Sequence, residues 1–213
     1  MEEKQEIIGT AENNNQMSKS KKLAFFAIFV ALVIIIQVLS TVIGKLFLIT
    51  APTLAFVPIL LAIVTLGFWQ GFALGAVFST VVMVFNVSGY DGGAYAMFAY
   101  SPVLTILLIY VKGCLAPVVA GLVYKALKNK MPKGSIWISS ALLPVVNTGV
   151  FCVGMLLFYR GYLSPDNAMG FKDYFYTVFI VIAGVNFLIE FFVNIILTPV
   201  VTDVKKVFDS KRY

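Results

Sequence analysis

The stretch LAFFAIFVALVIIIQVLSTVIG, residues 23–44, carries no charged side chain. As a helix it would rise about 33 Å at about 1.5 Å per residue. The hydrocarbon core of a bilayer is about 30 Å thick, so the stretch reads as a membrane span. Comparable apolar runs follow at about Thr53–Trp69, Phe72–Val87, Val103–Leu127, Ile136–Tyr159 and Tyr174–Val201. The run between Ala51 and Val87 also accommodates a broken or tilted helix, which makes its division into two spans the least secure. Composition points the same way. Hydrophobic residues make up 60% of the 213 residues, and mean hydropathy is +0.94, whereas soluble domains are about 45–50% apolar. The expected fold is an all-α membrane protein, a six-transmembrane-helix bundle in the cell membrane.

The connections are short. Gln70-Gly71 reads as a tight turn, SGYDGGAYAMFAYSP (88–102) as an ordered loop, KNKMPKGS (128–135) as a basic loop and RGYLSPDNAMGFKD (160–173) as a polar loop. Residues 1–20 are polar and read as a disordered cytoplasmic tail, residues 21–206 as the membrane domain, and residues 207–213 as a second cytoplasmic tail. The orientation comes from basic residues, which gather on the cytoplasmic side of membrane proteins. Lys19, Lys21, Lys22, Lys125, Lys128, Lys130, Lys133, Lys205, Lys206, Lys211 and Arg212 fall on one side of the expected topology. Only Lys45, Arg160 and Lys172 fall on the other. Both termini are therefore expected in the cytoplasm. Tyr100, Tyr159, Tyr162, Tyr174 and Tyr176 fall near the expected outer boundary, where amphipathic rings settle. The net charge of +6 is explained by this topology, and nucleic acid is not an expected partner.

Polar groups inside the spans carry most of the functional information. A charge at the bilayer centre costs at least about 2.5–3.5 kcal/mol on insertion scales. Lys112 lies in the fourth span and Glu190 in the sixth, accompanied by Asn147 in the fifth and Asn186 and Asn194 in the sixth. Counted from the outer helix ends, Lys112, Asn147 and Asn186 all lie roughly 15–18 Å deep. Asn186, Glu190 and Asn194 are spaced i, i+4, i+8 and share one helix face. Together they describe either a ligand pocket between the last three helices or a buried Lys112–Glu190 pair with asparagines bonding across helices. Ala24, Ala27 and Ala31 share a face of the first helix, and Gly67, Gly71 and Gly75 form a second small-residue series. Small residues allow close helix approach, which internal packing explains in both cases.

Histidine is absent, which removes the commonest general base and metal ligand. Cys114 and Cys152 lie within apolar runs and read as packing residues. The chain has no phosphate-binding G-x-x-x-x-G-K-[ST] loop and no G-x-S-x-G, H-E-x-x-H or C-x-x-C motif. No enzyme activity, cofactor or metal is expected. A small membrane-embedded enzyme or a stand-alone facilitator remains the alternative to a binding subunit.

Several segments are familiar in their order and spacing: AIFVA at 27–31, FVPILLAIVTLGFWQGFALGAVFS at 56–79, APVVAGLVYKAL at 116–127, PVVNTGVF at 144–151 and NFLIEFFVN at 186–194. Over residues 22–206 the chain resembles the substrate-binding subunits, or S components, of energy-coupling factor (ECF) vitamin transporters. The resemblance implies capture of a vitamin or related micronutrient from outside and docking on a membrane scaffold subunit that carries two ATPases. It implies a docking role for Ala27 and Ala31, and a ligand pocket formed by the last three helices and loops, with Lys112, Asn147, Asn186 and Glu190 as its candidate residues. Riboflavin-type members carry an asparagine on each of the last two helices and a lysine three residues after the second. Asn147 and Asn186 fit that pattern, but position 189 is Ile and Glu190 follows it. An intramembrane Lys112 suits an acidic vitamin such as pantothenate, unless Glu190 neutralises it.

Overall fold

The computed structural model describes residues 18–46, 53–90, 92–166 and 168–210. The expected tail at residues 1–17 and the chain end at 211–213 lie outside them. In chain order the helices are α1 (Lys19–Leu46), α2 (Phe56–Thr65), α3 (Phe68–Val87), α4 (Gly92–Tyr100), α5 (Pro102–Leu127), α6 (Pro132–Phe158), α7 (Arg160–Leu163), α8 (Phe171–Tyr176), a π-helical turn (Thr177–Ile182) and α9 (Gly184–Ser210). There is no strand among the described residues. Five helices, α1, α3, α5, α6 and α9, are long and apolar enough to cross a membrane.

The second expected span differs from its neighbours. Only ten of its residues form α2, about 15 Å of helix or half a bilayer core. This short helix packs against all five long ones, and Phe56, Ile59, Leu60 and Ala62 are fully buried. It fills the bundle axis over part of its height and leaves the remainder to be occupied by something else. The turn into α3 pivots on Gly67, whose φ of 122° suits glycine because it has no Cβ to clash. A methyl group on Gly71 would stand 2.2 Å from Ile63 Cγ1, and one on Gly75 would stand 2.5 Å from the Gly113 carbonyl oxygen. The Gly67–Gly71–Gly75 series therefore serves the turn and internal packing.

Helix α1 has two distinct faces. Phe29, Val33, Gln37, Ser40 and Thr41 are buried against the bundle, which α1 meets through α2 and α3. Ala24, Ala27 and Ala31 are exposed on the other side. Internal packing, the simplest reading of these alanines, does not account for them.

The basic residues gather at one end of the bundle. Phe25 near the start of α1 meets Phe208 near the end of α9, with ring centroids 5.2 Å apart. Lys128, Lys133, Lys205 and Lys206 line a single cleft there. At the opposite end Lys45 sits over the Tyr90 ring, 3.9 Å from its centroid.

Three loop and boundary expectations change. The segment expected as a loop over Ser88–Pro102 contains α4, because its AYAMFAY portion has helix-compatible residues and no proline. The last apolar run is broken into α8, the π-helical turn and α9. Helix α9 continues to Ser210, and Lys206 pairs with Asp203 at 2.7 Å and Lys205 with Asp209 on its surface. Tyr159 and Tyr174 are fully buried and so do not belong to an interfacial belt. Tyr100 and Tyr176 are exposed, as amphipathic boundary residues are.

Candidate ligand-binding site

A cavity of about 530 Å³ opens beyond the N-terminal end of α2, where the short helix stops filling the bundle axis. Its size falls within the roughly 300–1,000 Å³ typical of small-molecule pockets. Thr53, just before α2, forms part of its floor. The walls come from the halves of α1, α3, α5 and α6 that face this end, and from the start of α9. Met97 of α4 and Tyr162 and Leu163 of α7 close over it.

Lys112, Asn147, Asn186 and Glu190 all line this one cavity. Helix α5 presents Lys112, whose ammonium lies 5.0 Å from the Phe151 ring centre, a cation–π contact worth about 0.5–2 kcal/mol. Helix α6 presents Asn147, which is buried and has Oδ1 without a hydrogen bond among the described residues. Asn186, partly exposed, and Glu190, buried, stand one turn apart on α9. Glu190 Oε1 accepts a hydrogen bond from the Thr53 N–H at 2.8 Å. Its Oε2 accepts none among the described residues. Asn147 approaches this carboxylate, and Lys112 is close enough to act on it electrostatically, but neither donates to Oε2.

Asn194 takes a different part. Its Nδ2 donates to the Glu190 carbonyl at 2.8 Å, and its own carbonyl accepts from Ser140 Oγ at 3.0 Å. Thr198 Oγ1 also donates to that Asn194 carbonyl, at 2.7 Å. This cluster ties α9 to α6 below the cavity, as polar side chains do between membrane helices.

The π-helical turn adjoins the site. Ala183 N–H reaches Val178 O at 3.1 Å, the i→i+5 bond of an expanded turn. Val181, Ile182 and Ala183 from this region face the cavity just before Asn186. One extra residue in a turn rotates everything after it, so the bulge sets which face of α9 presents Asn186 and Glu190. Expanded turns of this kind occur often at functional sites. The roof is braced by Tyr159, whose hydroxyl shares a hydrogen bond with Thr105 Oγ1 at 2.6 Å, and by Tyr174, which donates to Met155 O at 2.5 Å. The Tyr159 and Tyr162 rings meet edge to face, and the Tyr100 ring lies tilted against both.

The cavity wall includes polar side chains the sequence reading did not single out: Gln37, Thr41, Thr53, Asn86, Thr105 and Thr148. Gln37 had a signal, an amide in the middle of an otherwise apolar span, where polar groups are expensive. Asn86 and Thr53 lie at span ends, where polarity is ordinary and carries no signal. Cys114 and Cys152 are free thiols, and no group of three His, Cys, Asp or Glu among the described residues is placed to hold a metal.

A family model for the substrate-specific component of ECF transporters matches residues 21–202. No curated protein and no solved structure matches the chain significantly. The matched region contains the whole cavity, the short α2 and the exposed alanine face of α1.

Proposed function

Since the chain belongs to the ECF transporter substrate-specific component family, a family of transporter subunits and not of enzymes, we propose that it captures a vitamin or related micronutrient from outside the cell and docks on a scaffold subunit with two ATPases. The protein is a multi-pass membrane protein, and members of this family bind small molecules and associate with scaffold and ATPase modules. The observation that carries the reading is the cavity of about 530 Å³ within the matched region, walled by Lys112, Asn147, Asn186 and Glu190.

In this reading the basic end of the bundle faces the cytoplasm and the cavity faces outward, in keeping with the distribution of lysines. Asn147 and Asn186 hydrogen-bond the ligand, and Glu190 and Lys112 set its charge. Pantothenate is favoured over riboflavin, because a lysine inside the pocket suits a carboxylate. The exposed Ala27 and Ala31 form the docking face, since side chains this small let a partner helix approach closely.

Mass spectrometry of small molecules released from the purified protein tests this reading. A stoichiometric vitamin is the expected result. A lipid or isoprenoid released together with its chemically altered product would favour a membrane enzyme instead.

A further inference from the structure

The basic end of the bundle, away from the ligand cavity, holds a second concave space, a cleft of about 630 Å³. It forms where α2 ends and the last turns of α5 and α9 meet the first turn of α6. Its apolar lining residues, among them Ile63, Val64 and Ile136, are buried. Its polar lining is mainly cationic: Lys128, Lys133, Lys205 and Lys206, against one carboxylate, Asp209. Asp209 pairs with Lys205. Lys206 pairs at 2.7 Å with Asp203, which does not line the cleft. Lys128 and Lys133 are exposed and form no ion pair among the described residues. Like charges around one hollow repel, and an anion between them relieves that repulsion.

Tryptophans mark the depth of the cleft. The chain has two. Trp69 stands two residues after Gly67 and Trp137 directly after Ile136, and Gly67 and Ile136 both line the cleft. Both indoles are exposed, one on α3 and one on α6. Exposed indoles settle at the membrane–water interface, so the cleft lies at headgroup height. We propose that it holds the phosphate of an acidic phospholipid, with the lysines on the headgroup oxygens and the glycerol end against the apolar lining. Basic pockets between membrane helices take acidic headgroups in this way. A zwitterionic lipid carries its own cation and gains less from the lysines. A soluble phosphate ester shares the charge but has nothing to place against Ile63 and Val64. The proposal is independent of what the outer cavity binds.

Native mass spectrometry of the full-length protein in a neutral detergent tests this, with phosphatidylglycerol, phosphatidylcholine and glycerol 3-phosphate as probes. Phosphatidylglycerol should bind saturably and about tenfold or more tightly than phosphatidylcholine. Lys128→Gln combined with Lys133→Gln should weaken it about 10- to 30-fold. Lys125→Gln combined with Lys130→Gln is the matched control. It removes the same charge from the same end at exposed positions that do not line the cleft, and should change affinity by less than about threefold, because solvent and salt screen exposed charges. Equal loss in both double variants would reduce the effect to general attraction by a basic surface and overturn the site. Phosphatidylglycerol binding no tighter than phosphatidylcholine overturns it as well. Glycerol 3-phosphate binding as tightly as the lipid would assign the cleft to a soluble phosphate ester and overturn the lipid assignment. Melting curves of the lipid-free variants should match the wild type. If the cleft double variant melts early, Lys128→Gln and Lys133→Gln singly take its place, each expected to weaken the lipid about fivefold.

Discussion

Asn147 and Glu190 are buried polar side chains in the wall of the cavity. Each is surrounded by helices that fix its position, and each keeps one oxygen without a hydrogen bond among the described residues. A buried acceptor left unpaired costs about 1–3 kcal/mol. Replacing Asn147 or Asn186 by Ala is expected to weaken pantothenate binding several-fold to about a hundredfold with the fold intact, from about 0.5–3 kcal/mol per hydrogen bond lost; titration and melting curves check this. Lys112→Met separates two roles. If Lys112 holds a ligand carboxylate, affinity collapses while the ligand-free melting temperature hardly moves. If it chiefly neutralises Glu190, the ligand-free protein loses stability, and adding Glu190→Gln restores much of it. The proposed role of Lys112 toward a ligand carboxylate makes the first outcome the expected one. The depth of Lys112, Asn147 and Asn186 was legible from counting residues along three spans, because a helix converts sequence number into height. That Glu190 leans on Thr53 was not legible, since the contact joins residues 137 apart.

Helices α3 and α5 approach closely at Gly75 and Gly113. A methyl group on Gly113 would lie 2.1 Å from Ser79 Oγ, which itself donates to the Gly75 carbonyl at 2.8 Å. Gly113→Val should push the two helices apart and destabilise the protein by about 1–3 kcal/mol, as overpacking does; thermal unfolding in detergent measures it. Gly149, with nothing within 4 Å of an added methyl group, is the control, and Gly149→Ala should be neutral or slightly stabilising. The exposed face of α1 behaves in the opposite way. Ala27→Trp or Ala31→Trp adds bulk where the protein has open surface. Ligand binding should survive, while co-purification with the scaffold and vitamin uptake fall. Lost binding with intact assembly would return these alanines to a purely internal role. The alanine face and the glycine series look alike in sequence, because small residues at helical spacing say that something comes close without saying what.

The bundle carries its charge at one end and its cavity at the other. Lys128, Lys133, Lys205 and Lys206 line one cleft, and the ring contact of Phe25 with Phe208 brings the lysines at the start of α1 beside it. A single cysteine introduced at Met131, between α5 and α6, should therefore react with a membrane-impermeant thiol reagent only after the cell is opened, in a background with Cys114 and Cys152 replaced. Labelling from outside in intact cells would reverse the topology and turn the cavity toward the cytoplasm. The half-length α2 links the two ends. Its C-terminal residues border the lysine cleft, and Thr53 before its N-terminus borders the cavity.

Hydropathy alone was enough to read a helical membrane bundle from this chain, since lipid requires long apolar helices and basic residues mark their ends. It was also enough to find three polar residues at shared depth, because polarity inside a bilayer stands out against its surroundings. It could not reveal that the second apolar run folds into a helix of only ten residues, because burial against five neighbours lets a short helix satisfy the same apolar pattern as a span. The cavity above α2, the expanded turn that aims Asn186 and Glu190, and the recruitment of Gln37 from the first helix all arise from contacts between distant segments. Local pattern specifies which residues avoid water; only packing in three dimensions specifies which empty space they surround.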